Sequence, residues 1–124
     1  MSKGEVYYRP SVHSDNWMDS IIPHQRVKVD TSLFSSPSVY HEATGWTDGV
    51  ATTEIQDHGA NTSGTAGTST VAGSSFTLPT ATAANKTRQR SAALTITSGN
   101  YFVVYSSVGG EGGVASNFIV VNFQ

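Results

Sequence analysis

The chain contains no cysteine. A disulfide framework, a thiolate zinc site and thiol chemistry are thereby excluded, and folding is indifferent to the redox compartment. Charge is also scarce: Asp, Glu, Lys and Arg supply 13% of the 124 residues, about half the usual share in soluble globular chains. The missing residues are the long charged helix formers, so a helical architecture is disfavoured. A net charge of −2 supplies no general field toward nucleic acid or an anionic membrane, and neither partner is expected. No apolar run approaches the roughly 20 residues of a membrane span. Residues 1–5 are polar and lack the apolar stretch of a signal peptide. The expectation is a soluble product made in the cytoplasm.

Signatures of catalysis are missing as well. There are four His but no G-x-S-x-G elbow to present a nucleophile to one of them. His13, Asp15 and Asp19, like His41-Glu42 and Asp57-His58, lack the i, i+4 His pairing of a helical zinc site and the alternating Asp/Asn loop of a calcium hand. They read as turn and cap residues. The glycine stretches at 64–67 and 109–113 lack the Lys-Ser/Thr ending of a phosphate loop. Asn61-Thr62-Ser63 and Asn85-Lys86-Thr87 match the glycosylation pattern at a frequency that chance supplies in so hydroxyl-rich a chain. The protein is expected to be non-enzymatic, with no catalytic residue, no metal and no cofactor.

What is present favours extended backbone. There are 17 Ser, 15 Thr and 12 Gly, with β-branched and aromatic residues in short runs. Residues 92–97 alternate as a half-buried strand does, and Ser98-Gly99-Asn100 is turn chemistry. Tyr101-Phe102-Val103-Val104-Tyr105 and Phe118-Ile119-Val120-Val121-Asn122-Phe123 flank the 109–113 glycine stretch and read as a hairpin. Both runs are apolar at odd and even positions alike, which requires cover on both faces from a second sheet or another subunit. Residues 26–30 alternate cleanly; 38–41 and 49–55 are weaker strand candidates, with Thr47-Asp48-Gly49 as a turn. Residues 57–91 hold little to bury and read as a polar flap anchored by Phe76 and Leu78. The fold class is mainly β: a small sandwich or barrel-like domain over 26–124, with an extended N-terminal arm over 1–25 and a long Ser/Thr/Gly-rich loop. Within the arm, Ser14 or Asp15 is placed to cap one helical turn that Pro23 limits.

Three groups of residues stand out as partner-binding. Glu5, Val6, Tyr7, Tyr8 and Arg9 form a strand-like piece stopped by Pro10. Trp17, Met18, Ile21 and Ile22 form an apolar cluster suited to anchoring. Lys86, Arg88 and Arg90 point one way from an extended segment, either as a solvated edge that blocks stray pairing or as a stripe for an acidic protein surface.

The order of several patches resembles the lambda-type phage head decoration proteins. The N-terminal string from Ser2 to Pro10, followed by His13-Ser14-Asp15-Asn16, is similar to that family's arm. Val29-Asp30-Thr31-Ser32 resembles its Asp-Thr-Ser strand, and Gly45-Trp46-Thr47-Asp48-Gly49-Val50-Ala51 its Thr-Asp-Gly turn. The likeness runs in patches over residues 2–55. It implies a β-rich body that trimerises on an expanded shell and stabilises it. It also implies an arm over residues 5–9 that extends a sheet of the major capsid protein, placing the protein on the virion surface. Deleting residues 1–22 is expected to leave a folded, soluble protein that no longer decorates capsids. The resemblance offers nothing to align with residues 57–90. The alternative is a carbohydrate- or receptor-binding module of a fibre or tail tip, with Trp46 and the 109–113 loop at its tip.

Overall fold

Among the described residues ten strands, the longer of them rich in alternating apolar residues, assemble into two sheets. The computed structural model describes residues 3–10, 12–13, 26–47, 51–60, 69–78, 87–108 and 112–124. The strands are β1 (Gly4–Tyr8), β2 (Val12–His13), β3 (Val27–Lys28), β4 (Ser38–Thr47), β5 (Ala51–Asp57), β6 (Ser69–Thr70), β7 (Phe76–Leu78), β8 (Thr87–Arg90), β9 (Tyr101–Val108) and β10 (Gly112–Phe123). The first sheet has the order β1-β10-β4-β8. The second runs β2-β9-β5-β6, with β3 also on β9 and β7 also on β5. Among the described residues every pairing is antiparallel except that of β2 with β9. The result is a mainly β, sandwich-like domain with no closed barrel.

The core follows from the period of two. Val39 and Val121, opposite each other on β4 and β10, share it with Ile119, Ile55, Phe102, Val29, Val71 and Leu94. Phe102 is wholly buried; burying a side chain of this size contributes about 1.5–3 kcal/mol. Val103 and Val120 alternate with these residues and so face away from the core, yet both are 0% exposed. The doubly apolar runs are therefore covered on both faces within one chain. Over Val120 the flanking residues come from its own sheet, Tyr7 on β1 and Tyr40 on β4.

Several sequence expectations are corrected. β9 and β10 do not form a hairpin: β9 pairs with β5 and β10 with β4 and β1, so the glycine-rich connection passes between sheets. The apolar runs define strands but carry no information on whether a turn stays within a sheet or crosses the sandwich. Residues 92–97 form no ladder, only a bridge from Leu94 to Val39. Their alternation is real in burial, because Leu94 is buried and Ile96 packs on the core. Asp30-Thr31-Ser32, a strand by resemblance, is the start of a 3-10 turn (Thr31–Leu33) that Asp30 caps by accepting from Ser32 N. Ser98-Gly99-Asn100 is the expected turn, with Gly99 at φ +88°. Part of the expected 57–91 flap is ordered: β6, β7 and β8 pair onto β5 and β4. The Thr47-Asp48-Gly49 turn and the helical turn at 16–19 fall at or outside the described residues.

The expected arm is integrated over Gly4–Tyr8. β1 pairs with β10 through all five residues, and Tyr8 packs against the core. Removing it would strip an edge strand from the first sheet, so deletion of residues 1–22 is expected to cost stability. Gly4 lies opposite Phe123, and a Cβ at Gly4 would sit 2.7 Å from Phe123 Cζ. The ring also meets Phe34 at 5.4 Å between centroids. Glycine thus lets an aromatic from the neighbouring strand cover the sheet edge. Gly4→Ala is expected to lower the melting temperature by roughly 3–6 °C, the equivalent of about 1 kcal/mol. Thermal unfolding followed by circular dichroism checks this, and an unchanged Tm would mean that Phe123 makes no contribution over Gly4.

Candidate docking surface

The outward face of the first sheet is assembled from four strands. Tyr8 faces the core, so by alternation Val6 is on the inner side of β1, while Glu5, Tyr7 and Arg9 lie on the outer one. The register then builds rows across the sheet. Tyr7 is opposite Val120, which is opposite Tyr40. In the neighbouring row Phe118 is opposite Glu42, which is opposite Arg90. Tyr7 meets Phe118 edge-on at 5.4 Å.

Arg90 ties this face together. From β8, at one edge, its guanidinium lies 5.3 Å from the Tyr40 ring centroid and reaches β1 at the other edge. Nη1 donates to Glu5 Oε2 at 2.9 Å and Nη2 to the Tyr7 hydroxyl at 3.3 Å. Nε donates to Glu42 Oε1 at 3.1 Å, and Nη2 lies 3.0 Å from the same oxygen. Tyr7 in turn donates to Glu5 Oε1. Arg88 Nε adds a contact to Glu42 Oε1 at 3.4 Å. The hydrogen bond from Arg90 holds the Glu5 carboxyl below its ordinary range, and the Arg90 guanidinium is correspondingly pushed up, first by Glu5 and then by Glu42. Only an arginine has a planar fork with enough donors to serve three partners at once.

This arrangement changes the meaning of the basic stripe. The charges of Arg88 and Arg90 are balanced by Glu42, whose side chain is 4% exposed, and by Glu5. The positive charge of Arg88 and Arg90 is therefore largely offset locally. It presents tyrosine, phenylalanine and arginine held in one geometry, the residue types enriched at interface centres. Side chains ordered in advance lose less entropy when a partner docks.

Set against protein-family models, curated proteins and solved structures, the chain matches none.

Of the residues singled out from the sequence, Glu5, Tyr7, Arg88 and Arg90 come together on this face. Arg9 is exposed just beyond β1. Val6 and Tyr8 point inward. Trp17, Met18, Ile21, Ile22 and Lys86 lie outside the described residues, as do Asp15 and Asp19; for Trp46 only the backbone, within β4, is described. Tyr40, Glu42 and Phe118 were not among the residues expected to bind a partner. Their signal was alternation: Tyr40 and Glu42 occupy the outward positions of a strand whose inward positions are Val39, His41 and Ala43.

A second polar cluster lies inside the sandwich. His41 is wholly buried, its Nδ1 2.7 Å from Ser74 O and its Nε2 2.8 Å from Asn117 Oδ1. Its ring meets Phe76 at 4.8 Å, and Thr53 Oγ1 lies 3.2 Å from the same Asn117 oxygen. Burial pushes the His41 pKa below its ordinary value of 6.5, which favours a neutral ring. A neutral ring donating through Nδ1 accepts at Nε2, so Asn117 is best satisfied by turning its NH2 toward the ring. With Oδ1 toward the ring, Nδ2 is buried with no partner among the described residues. Ser74 Oγ donates to Val71 O at 2.7 Å and accepts from Ile55 N at 3.0 Å. His41 meets the Ser74 carbonyl and not its hydroxyl, so the pair is not a nucleophile and its base.

Proposed function

We propose that this protein is a non-enzymatic structural component of a virus particle. In this reading it is a decoration or cement protein that binds the assembled shell at junctions between major capsid protein subunits. The observation that carries the binding role is the outward face of the first sheet, where Arg90 locks Tyr7, Tyr40, Glu5 and Glu42 into a rigid Tyr/Arg surface. The class of partner rests on the order of the sequence patches over residues 2–55. A ligand that recognises only the assembled shell stabilises it by mass action, and no catalysis is required.

The test is to mix the purified protein with empty expanded shells of its own virus and measure what co-sediments. Saturation at a fixed copy number, with greater heat resistance of the shell, is the expected result. Tyr7→Ala and Arg88→Glu, on exposed side chains, are each expected to weaken binding by roughly tenfold or more while the protein stays folded. Absence of co-sedimentation, or undiminished binding by both variants, would overturn the reading.

A further inference from the structure

The two edges of the first sheet are unlike. β8 carries Arg88 and Arg90, and charge on an edge strand discourages stray pairing. β1 pairs with β10 on one side and, among the described residues, with nothing on the other. Its five residues, GEVYY, include no proline or lysine, and its register with β10 is unbroken by a bulge. The unprotected edge is also the one whose charges complement themselves: Glu5 precedes Tyr7 by two positions, and exposed Arg9 follows it by two.

We propose that β1 is a contact between two copies of this chain, the strands pairing antiparallel across a two-fold axis at Tyr7. Glu5 of each copy then lies opposite Arg9 of the other, Val6 opposite Tyr8, and the two Tyr7 side chains face each other. Opposite charges, and aromatic with β-branched residues, are favourable cross-strand pairs. Registers that keep the outward faces of both copies on one side set odd residues against odd ones. Among these, centring on Val6 sets Lys3 against Arg9, and centring on Gly4 leaves Tyr8 unpaired. Tyr7, 43% exposed in the single chain, becomes covered, and the two first sheets join into one of eight strands. Tyr7 belongs to both contacts, but Arg88 on β8 serves only shell docking and Arg9 only the pairing, so Arg88→Glu and Arg9→Glu let each reading fail without the other. A two-fold pair departs from the three-fold assembly that the family resemblance implies.

Sedimentation equilibrium and light scattering on the full chain test the proposal over a range of concentrations. The expected mass is that of two 13.1 kDa chains. Arg9→Glu and Glu5→Arg, each alone, set like charges opposite one another at both ends and are expected to weaken association by roughly tenfold or more. Mixing the two variants restores opposite charges at both ends and is expected to recover the pair as a heterodimer. Glu5→Arg also forfeits the link to Arg90. Should that variant not fold, Arg9→Glu alone decides, because Arg9 is exposed. A single-chain mass at every concentration, a three-chain mass, or undiminished pairing by Arg9→Glu would each overturn the proposal.

Discussion

Replacing His41 with alanine is expected to lower the unfolding free energy by about 3–5 kcal/mol, the largest loss we anticipate from one side chain. Two effects add. The ring is wholly buried against Phe76, so its removal leaves a cavity. The Ser74 carbonyl and the Asn117 amide also lose their partner in a place water does not reach. A domain of this size has about 5–15 kcal/mol in total, so the midpoint of urea unfolding should fall steeply. A change below about 1 kcal/mol would mean that the network is not formed in solution.

The same residue makes stability depend on pH, with a definite sign. Burial depresses the His41 pKa below 6.5 in the folded chain, so as pH falls the unfolded chain takes up this proton first. The contribution is complete above about pH 6.5, declines by up to about 1.4 kcal/mol per pH unit below it, and is lost beneath the folded pKa. The groups bonded to the ring are the Ser74 carbonyl and the Asn117 side chain, with Thr53 beside the latter; none is a carboxylate that would hold a proton on the ring, and Glu42 lies on the opposite face of β4. In His41→Ala the slope between pH 6.5 and 5.5 should flatten. Glu5 and Asp30, whose pKa values are lowered chiefly by hydrogen bonds from Arg90 and Ser32, act in a separate window. Their contributions are present above the ordinary carboxylate range and are lost below it.

Arg90→Ala is expected to cost about 2–3 kcal/mol, because Glu42 is nearly buried and, among the described residues, would retain only the longer contact from Arg88. Leaving one partner of a buried pair unmatched is costlier than the pair was worth. Arg90→Lys should recover less than half of the loss, since an ammonium cannot serve Glu5, Tyr7 and Glu42 from one plane. Arg88→Ala, by contrast, removes a side chain that is 68% exposed and should change stability by no more than about 0.5 kcal/mol. Chemical denaturation of the three variants separates these cases. Equal losses for Arg90→Ala and Arg88→Ala would contradict the central position given to Arg90.

The outward face was partly legible in advance. Glu5, Tyr7, Arg88 and Arg90 stood out because local alternation says which side chains share a face of one strand. Nothing local indicated that Arg90 would reach Glu5, 85 positions away in the chain. The inward-facing half of the N-terminal segment was less legible. Val6 and Tyr8 resembled partner-binding residues because the residues that shelter them, on β10, lie at the far end of the sequence. His41 and Glu42 read as turn and cap residues, whereas both are buried within β4; the role of His41 was not legible because its partners come from the 71–75 turn and β10.

From composition and alternation alone, the chain was bound to be β-rich, free of disulfides and covered on both faces of its C-terminal runs. These properties depend on residue type and on a period of two, which are local. Which strands pair, whether the connection from β9 to β10 closes a hairpin or crosses between sheets, and which charges meet were decided only by the tertiary structure. Strand pairing joins residues of any separation, so the register that buries the most apolar surface while satisfying Glu42, His41 and Arg90 emerges only when the two sheets pack.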